Sequence, residues 1–136
     1  RQLLEGLSYL HKQQPVALHR DIKDTNILIG SDRKVKLSEI CCSKRDDVIL
    51  KSESIYCMAP EVIKQEGYSK RSDVWSLGCM VIVMATAAKC PWGSFDNMKT
   101  LMVRIAMSDE TLPVPRHLSE IARDFIVQCT HRNTSS

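Results

Sequence analysis

Apolar residues recur at helical spacing from the first positions of the chain: Leu3, Leu4, Leu7 and Leu10, with Tyr9 beside them. This period predicts a helix ending near His11, with Pro15 closing it. The rhythm then shortens. Asn26-Ile27-Leu28-Ile29 and Lys34-Val35-Lys36-Leu37 read as two short strands, and Gly30-Ser31-Asp32-Arg33 between them has turn composition, so a β-hairpin is predicted. Residues 39–58 show no period, contain Lys44-Arg45-Asp46-Asp47 and read as a loop. Ala59-Pro60-Glu61 leads into a short helix with Pro at an early helical position. Ser72-Asp73 is a candidate cap for the most apolar stretch, from Val74 to Ala88. That stretch falls short of the ~20 residues a membrane span needs, so it reads as a buried core helix. After Pro91-Trp92-Gly93, the segment from Phe95 to Ala106 is amphipathic. Pro113 and Pro115 break the chain. Ser119 then caps a last helix whose buried face is marked by Ile121, Phe125, Ile126 and Cys129, before a turn-like tail, Asn133-Thr134-Ser135-Ser136. Helix, hairpin, then helices describes a mostly α domain with a small β element.

Composition narrows the class. A chain of 136 residues suffices for one domain with a sizeable core. At 43% hydrophobic and 26% charged it is ordinary globular material, which argues against disorder. The net charge of +3 comes from scattered Lys and Arg without a basic block, so neither nucleic acid nor a membrane is expected as a partner. Cysteines stand at 41, 42, 57, 79, 90 and 129, and none forms Cys-x-x-Cys, so no zinc site is expected. They read as reduced thiols of an intracellular protein, with adjacent Cys41-Cys42 as the redox-reactive alternative. The chain opens inside a helical pattern, without an initiator Met or signal peptide. It therefore reads as a fragment, or as a chain whose N-terminal part is missing.

The densest chemistry lies in His19-Arg20-Asp21-Ile22-Lys23 and Asn26. A carboxylate, an ammonium and an amide stand close together on an irregular stretch ahead of the hairpin, where a loop can aim all three at one point. The carboxylate can orient a hydroxyl and accept its proton. The Lys can neutralise phosphate charge, and the Asn oxygen is a hard ligand suited to Mg²⁺. Together they suit phosphoryl transfer, in which positioning and charge neutralisation dominate. Any one of them alone reads as part of a polar surface turn. His11, His117 and His131 have no acid–base partner nearby in sequence.

His-Arg-Asp-x-Lys-x-x-Asn over 19–26 resembles the catalytic loop of eukaryotic protein kinases. Four further features resemble that family in order and spacing: the hairpin, Met58-Ala59-Pro60-Glu61 as the end of an activation segment, Ser72-Asp73-Val74-Trp75-Ser76-Leu77-Gly78-Cys79 as the central helix, and Pro91-Trp92 leading into a partner-docking helix. Lys23 points to Ser/Thr kinases. The wording around Ala59-Pro60-Glu61-Val62-Ile63 and Gly67-Tyr68-Ser69-Lys70-Arg71-Ser72-Asp73 resembles the mitogen-activated protein kinase kinase kinase branch. The resemblance implies a kinase large (C-terminal) lobe over 1–136, mostly α with a small hairpin and with the small lobe absent. Within it lie a catalytic loop over 18–29, a degenerate metal motif over 39–41, an activation segment over 39–61 and a central helix over 73–88. It implies ATP and Mg as cofactors, protein substrates or partner kinases as partners, and a cytoplasmic location. By the same resemblance Asp21 is the catalytic base, Lys23 contacts the transferring phosphate, and the Ser54 hydroxyl meets both. Asn26 and Glu39 are the metal ligands. Arg20 pairs with a phosphorylated loop residue, for which Ser52 and Ser54 are candidates. His19, Asp73 and Glu61 are structural.

The chain departs from that pattern in places. Glu39-Ile40-Cys41 stands where the family has Asp-Phe-Gly. The extra methylene of Glu39 moves its carboxylate by about one bond length, against a cation that demands octahedral geometry at about 2.0–2.1 Å. Glu53-Ser54-Ile55-Tyr56-Cys57 replaces Gly-Thr-Pro-Tyr-Trp. No Gly-rich loop, strand lysine or partner glutamate stands in these residues, nor the Arg that the family pairs with Glu61, and Arg132 is not expected to replace it. Two classes of function follow. One is an enzyme whose large lobe this is, the isolated chain transferring no phosphate. The other is a pseudokinase or truncated module that binds kinase partners. In either, an apolar inter-lobe face is expected to be exposed.

Overall fold

The computed structural model describes residues 1–38 and 52–132, the side chains of residues 52 and 53 excepted. The elements are α1 (Gln2–His11), a 3₁₀ turn (Asp24–Asn26), β1 (Ile27–Ile29), β2 (Val35–Leu37), α2 (Ser52–Ile55), α3 (Pro60–Ile63), α4 (Lys70–Thr86), α5 (Met98–Met107) and α6 (Glu120–Cys129). The architecture is mostly helical with one two-stranded antiparallel sheet, as the patterning predicts.

The hairpin pairs Ile27 with Leu37 and Ile29 with Val35. Its turn closes through Gly30 N–H to Lys34 O (2.9 Å), and Arg33 there takes φ 60°. α1 lies over β2: Leu7 is buried, and the Gln2 side chain accepts from the amide of Val35 at 2.6 Å. α4 is the centre. Trp75, Leu77, Gly78, Cys79, Met80 and Ile82 are buried along it, on more than one side, because α1 and α6 both pack against it. Gly78 permits the approach of α6. A Cβ there would stand 2.7 Å from Cys129 Cβ and 2.8 Å from Thr130 Cγ2. Beside this contact Trp75 stacks on Trp92 at 6.5 Å, with the Arg132 guanidinium 5.7 and 5.9 Å from the two rings. α3 meets α5, and Val62, Leu101 and Ile105 close the core, each fully buried apolar side chain contributing about 1.5–3 kcal/mol.

Four expectations need correction. α4 begins at Lys70, not near Asp73. Ser69 is its N-cap, and Ser72 returns the bond to the Ser69 amide in a capping box, so Ser72 is the third helical residue instead of the cap. Lys70 and Arg71 are exposed, so the apolar period starts later than the helix itself. Residues 52–55, read as loop, form one helical turn, too short to show a period. Ile121, assigned to a buried face, is 85% exposed, because α6 meets α4 through its second half, around Ile126 and Cys129. His11, which lacked a partner in sequence, has one in space. Among the described residues, no helix is long and apolar enough to cross a membrane. Leu28 and Ile29 on β1 are exposed. Cys41, Cys42 and the tail 133–136 lie outside the described residues.

Candidate active site

The stretch between α1 and β1 is held from below by one carboxylate. Asp73, in the first turn of α4, is 2% exposed and accepts three hydrogen bonds. Its Oδ1 takes the Arg20 amide at 2.9 Å. Its Oδ2 takes the His19 amide and His11 Nε2, both at 2.9 Å. A buried carboxylate without donors would be costly. Here three N–H groups and the positive end of α4 offset its desolvation. The loop is shaped by this grip. Arg20 takes φ 73°, a left-handed conformation that costs a non-glycine residue on the order of 1 kcal/mol or more.

His19 is fully buried. The amide of Asp21 donates to its Nδ1 at 3.2 Å, so the ring proton sits on Nε2, which donates to Ser38 O at 2.7 Å. The imidazole thereby ties the stretch 19–21 to Ser38, the residue preceding Glu39. Glu39, Ile40 and Cys41 themselves lie outside the described residues, as does the side chain of Ser52.

Above this support, polar groups converge. Ile22 is buried at 3% and pins the loop between Asp21 and Lys23, whose side chains emerge on one side. Lys23 Nζ lies 3.5 Å from Asp21 Oδ2 and donates to Ser54 Oγ at 3.2 Å. Ser54 arrives on α2, from 31 residues further along the chain. Asn26 is buried at the end of the 3₁₀ turn, and its amide nitrogen donates to Asp21 O (2.8 Å) and Asp21 Oδ2 (3.2 Å). Those bonds leave Oδ1 as the amide's hard oxygen, the donor type Mg²⁺ takes. The described residues contain no cluster of three or more His, Cys, Asp or Glu fit to hold a metal. The Arg20 guanidinium lies 5.4 Å from the Tyr68 ring centroid, on the wall of a cleft that Asp21, Ser54 and Met58 also line.

Glu61, at the start of α3, accepts from Ser72 Oγ at 2.9 Å. Arg132 lies elsewhere, donating to Ile105 O (2.7 Å) and Glu110 O (2.9 Å). Burial pushes Cys79 well up and Cys90 up, and it raises Cys129 to about 11. Sequence reasoning missed His11 and Tyr68. No local signal marks His11, whose partner is 62 residues away. Tyr68, between Gly67 and the Ser69 cap, had at least the position of a residue aimed by its neighbours.

A three-donor aspartate under the loop and a carboxylate–ammonium–hydroxyl cluster above it make up the candidate site, in a mostly helical fold with one two-stranded sheet. The protein kinase domain model matches residues 1–136, and the chain belongs to that family. Within it, the chain is similar to mitogen-activated protein kinase kinase kinases. It is 43% identical to kinase kinase kinase A of Dictyostelium discoideum, over 98% of this chain and 14% of that protein. It is 45% identical to kinase kinase kinase 3 of Homo sapiens, over 93% and 21%. It is 40% identical to the kinase kinase kinase YODA of Arabidopsis thaliana, over 100% and 16%. The chain thus spans about a seventh to a fifth of the length of these relatives.

Proposed function

We propose that this chain supplies the catalytic loop and substrate-docking face of a serine/threonine protein kinase acting in a cytoplasmic mitogen-activated protein kinase cascade. The observation that carries the reading is the meeting of Asp21, Lys23 and Ser54 within 3.5 Å contacts. Asp21 is placed to orient a substrate hydroxyl and accept its proton. Lys23, held between Asp21 and Ser54, neutralises charge on the phosphoryl group in transit. Asn26 and Glu39 are the candidate holders of Mg²⁺, whose chemistry when bound is to neutralise the phosphate oxygens of ATP. Arg20 receives a phosphorylated residue of the activation segment, Ser52 or Ser54. His19, Asp73 and Glu61 hold these groups in place.

The test is phosphoryl transfer to a protein serine, in a protein that carries this chain behind a Gly-rich loop and its strand lysine. Asp21→Asn is expected to lower the rate by about 10²-fold or more, and an unchanged rate sinks the proposal. Glu39→Asp is expected to raise the rate by up to about 10²-fold, since a ~1 Å misplacement costs that much. A second reading rests on Glu39-Ile40-Cys41 itself: a non-catalytic domain that binds kinase partners. It is favoured if Glu39→Asp gives no gain and Asp21→Asn no loss. Residues 1–136 alone hold no Gly-rich loop to clamp the nucleotide, so negligible Mg–ATP affinity by calorimetry is expected of them.

A further inference from the structure

We propose that Ser76 is a positioning residue for the protein substrate, holding the docking wall of the cleft at a set distance from Asp21. The inference rests on the kinase reading of the site and adds the group that joins its two halves. Asp73 and Ser76 stand one turn apart on the same face of α4. Asp73 accepts from the His19 and Arg20 amides, and so holds the stretch that carries Asp21. Ser76 Oγ donates to Cys57 O at 2.7 Å, and so holds the segment that carries Ser54, Met58 and Ala59. Both segments line one cleft, with Asp73 and Ser76 at its floor. One helix thereby sets the gap between base and docking wall.

A serine inside a helix commonly donates to the carbonyl four residues back, with no partner elsewhere. Here Ser72 O lies 3.2 Å from Ser76 Oγ, and the Cys57 carbonyl lies at 2.7 Å. One hydroxyl carries one proton, and the nearer acceptor takes it. Cys57 is 4% exposed, and among the described residues no backbone N–H reaches its carbonyl. Without the hydroxyl that oxygen is left buried and unpaired, so the loop must shift to find another donor. The grip of Asp73 on the other segment does not depend on Ser76.

The first measurement is amide hydrogen exchange, by nuclear magnetic resonance on the 136-residue chain. The Met58 amide bonds to Ile55 O at 3.1 Å within the segment that Ser76 holds. Ser76→Ala is expected to speed its exchange by about two- to tenfold and to leave the Arg20 amide as it was. Ser76→Thr, which keeps the hydroxyl, is expected to restore the slow rate. Exchange that rises equally at both amides, or at neither, overturns the inference. The second measurement is transfer to a protein serine, in a protein that carries this chain behind a Gly-rich loop and its strand lysine. Ser76→Ala is expected to raise KM for that substrate about two- to tenfold, with a smaller fall in kcat. A fall in kcat at unchanged KM refutes the role. If Asp21→Asn leaves transfer unchanged, the kinase reading itself fails, and the exchange rates still decide whether Ser76 holds the loop.

Discussion

Replacing Asp73 by Asn changes one atom and almost no volume, so it isolates what the carboxylate does for the loop at His19 and Arg20. Three donors reach the two oxygens: the Arg20 amide at Oδ1, and the His19 amide with His11 Nε2 at Oδ2, each at 2.9 Å. An amide has one oxygen. The best placement keeps it where Oδ2 stands and turns the NH₂ toward the Arg20 amide, donor against donor. A hydrogen bond to a charged group is worth about 1.5–3 kcal/mol, and an orphaned buried N–H costs about 1–3 kcal/mol. The two overlap, so the loss should be about 2–4 kcal/mol, with about 0.3–1 kcal/mol more from removing a negative charge at the start of α4. That is a large part of the ~5–15 kcal/mol that holds a domain together. Urea unfolding followed by the fluorescence of buried Trp75 and Trp92 measures the loss. Amide hydrogen exchange at Arg20 reports the loop directly, since the left-handed φ has no remaining reason to persist. A loss under about 1 kcal/mol, with the Arg20 amide still protected, would refute the reasoning that this carboxylate shapes the loop.

Gly78→Ala should destabilise by about 1–3 kcal/mol through overpacking against Cys129 and Thr130, outweighing a helix-propensity gain of about 1 kcal/mol. Thr130→Ser, which removes one of the two clashing atoms, should restore part of it in the same unfolding assay. Cys129, raised to about 11 by burial, should be alkylated at pH 8 roughly 100-fold more slowly in the folded chain than in urea, by mass spectrometry; equal rates would contradict its burial. The Arg104 guanidinium, bonded to Glu110 at 2.7 Å through two nitrogens, holds that carboxyl below the usual range. A depressed carboxylate stabilises the fold above its ordinary value of about 4.3 and loses that contribution as pH falls through the folded value. Glu110→Gln should therefore lower stability near pH 7 and leave it little changed at pH 3, flattening the acid side of the profile, as thermal melts across pH 3–7 would show.

Some of this was legible in the chain. The period-3.6 runs placed α1, α5 and α6 because a helix that buries one face must repeat it locally. The hairpin followed from alternation around a Gly-Ser-Asp turn, and Ser119 caps α6 as expected, accepting from the Ala122 amide. Residues 19–26 marked the candidate site because most of its polar groups stand within a few positions of one another.

Other features required distance in sequence to become contact in space. That α4 starts at Lys70, just after its Ser69 cap, depends on two serines trading bonds, not on apolar rhythm. Ile121 is exposed because only the second half of α6 meets a neighbour, which periodicity does not encode. His11 acquires its partner, and Lys23 its serine, only when α1, α2 and α4 pack together. Tyr68 meets Arg20 on the same terms. The residue types and their local order picked out the candidate groups. Packing around α4 decided which of them touch, since hydrogen bonds and ring contacts act over a few ångströms and only the folded chain sets those distances.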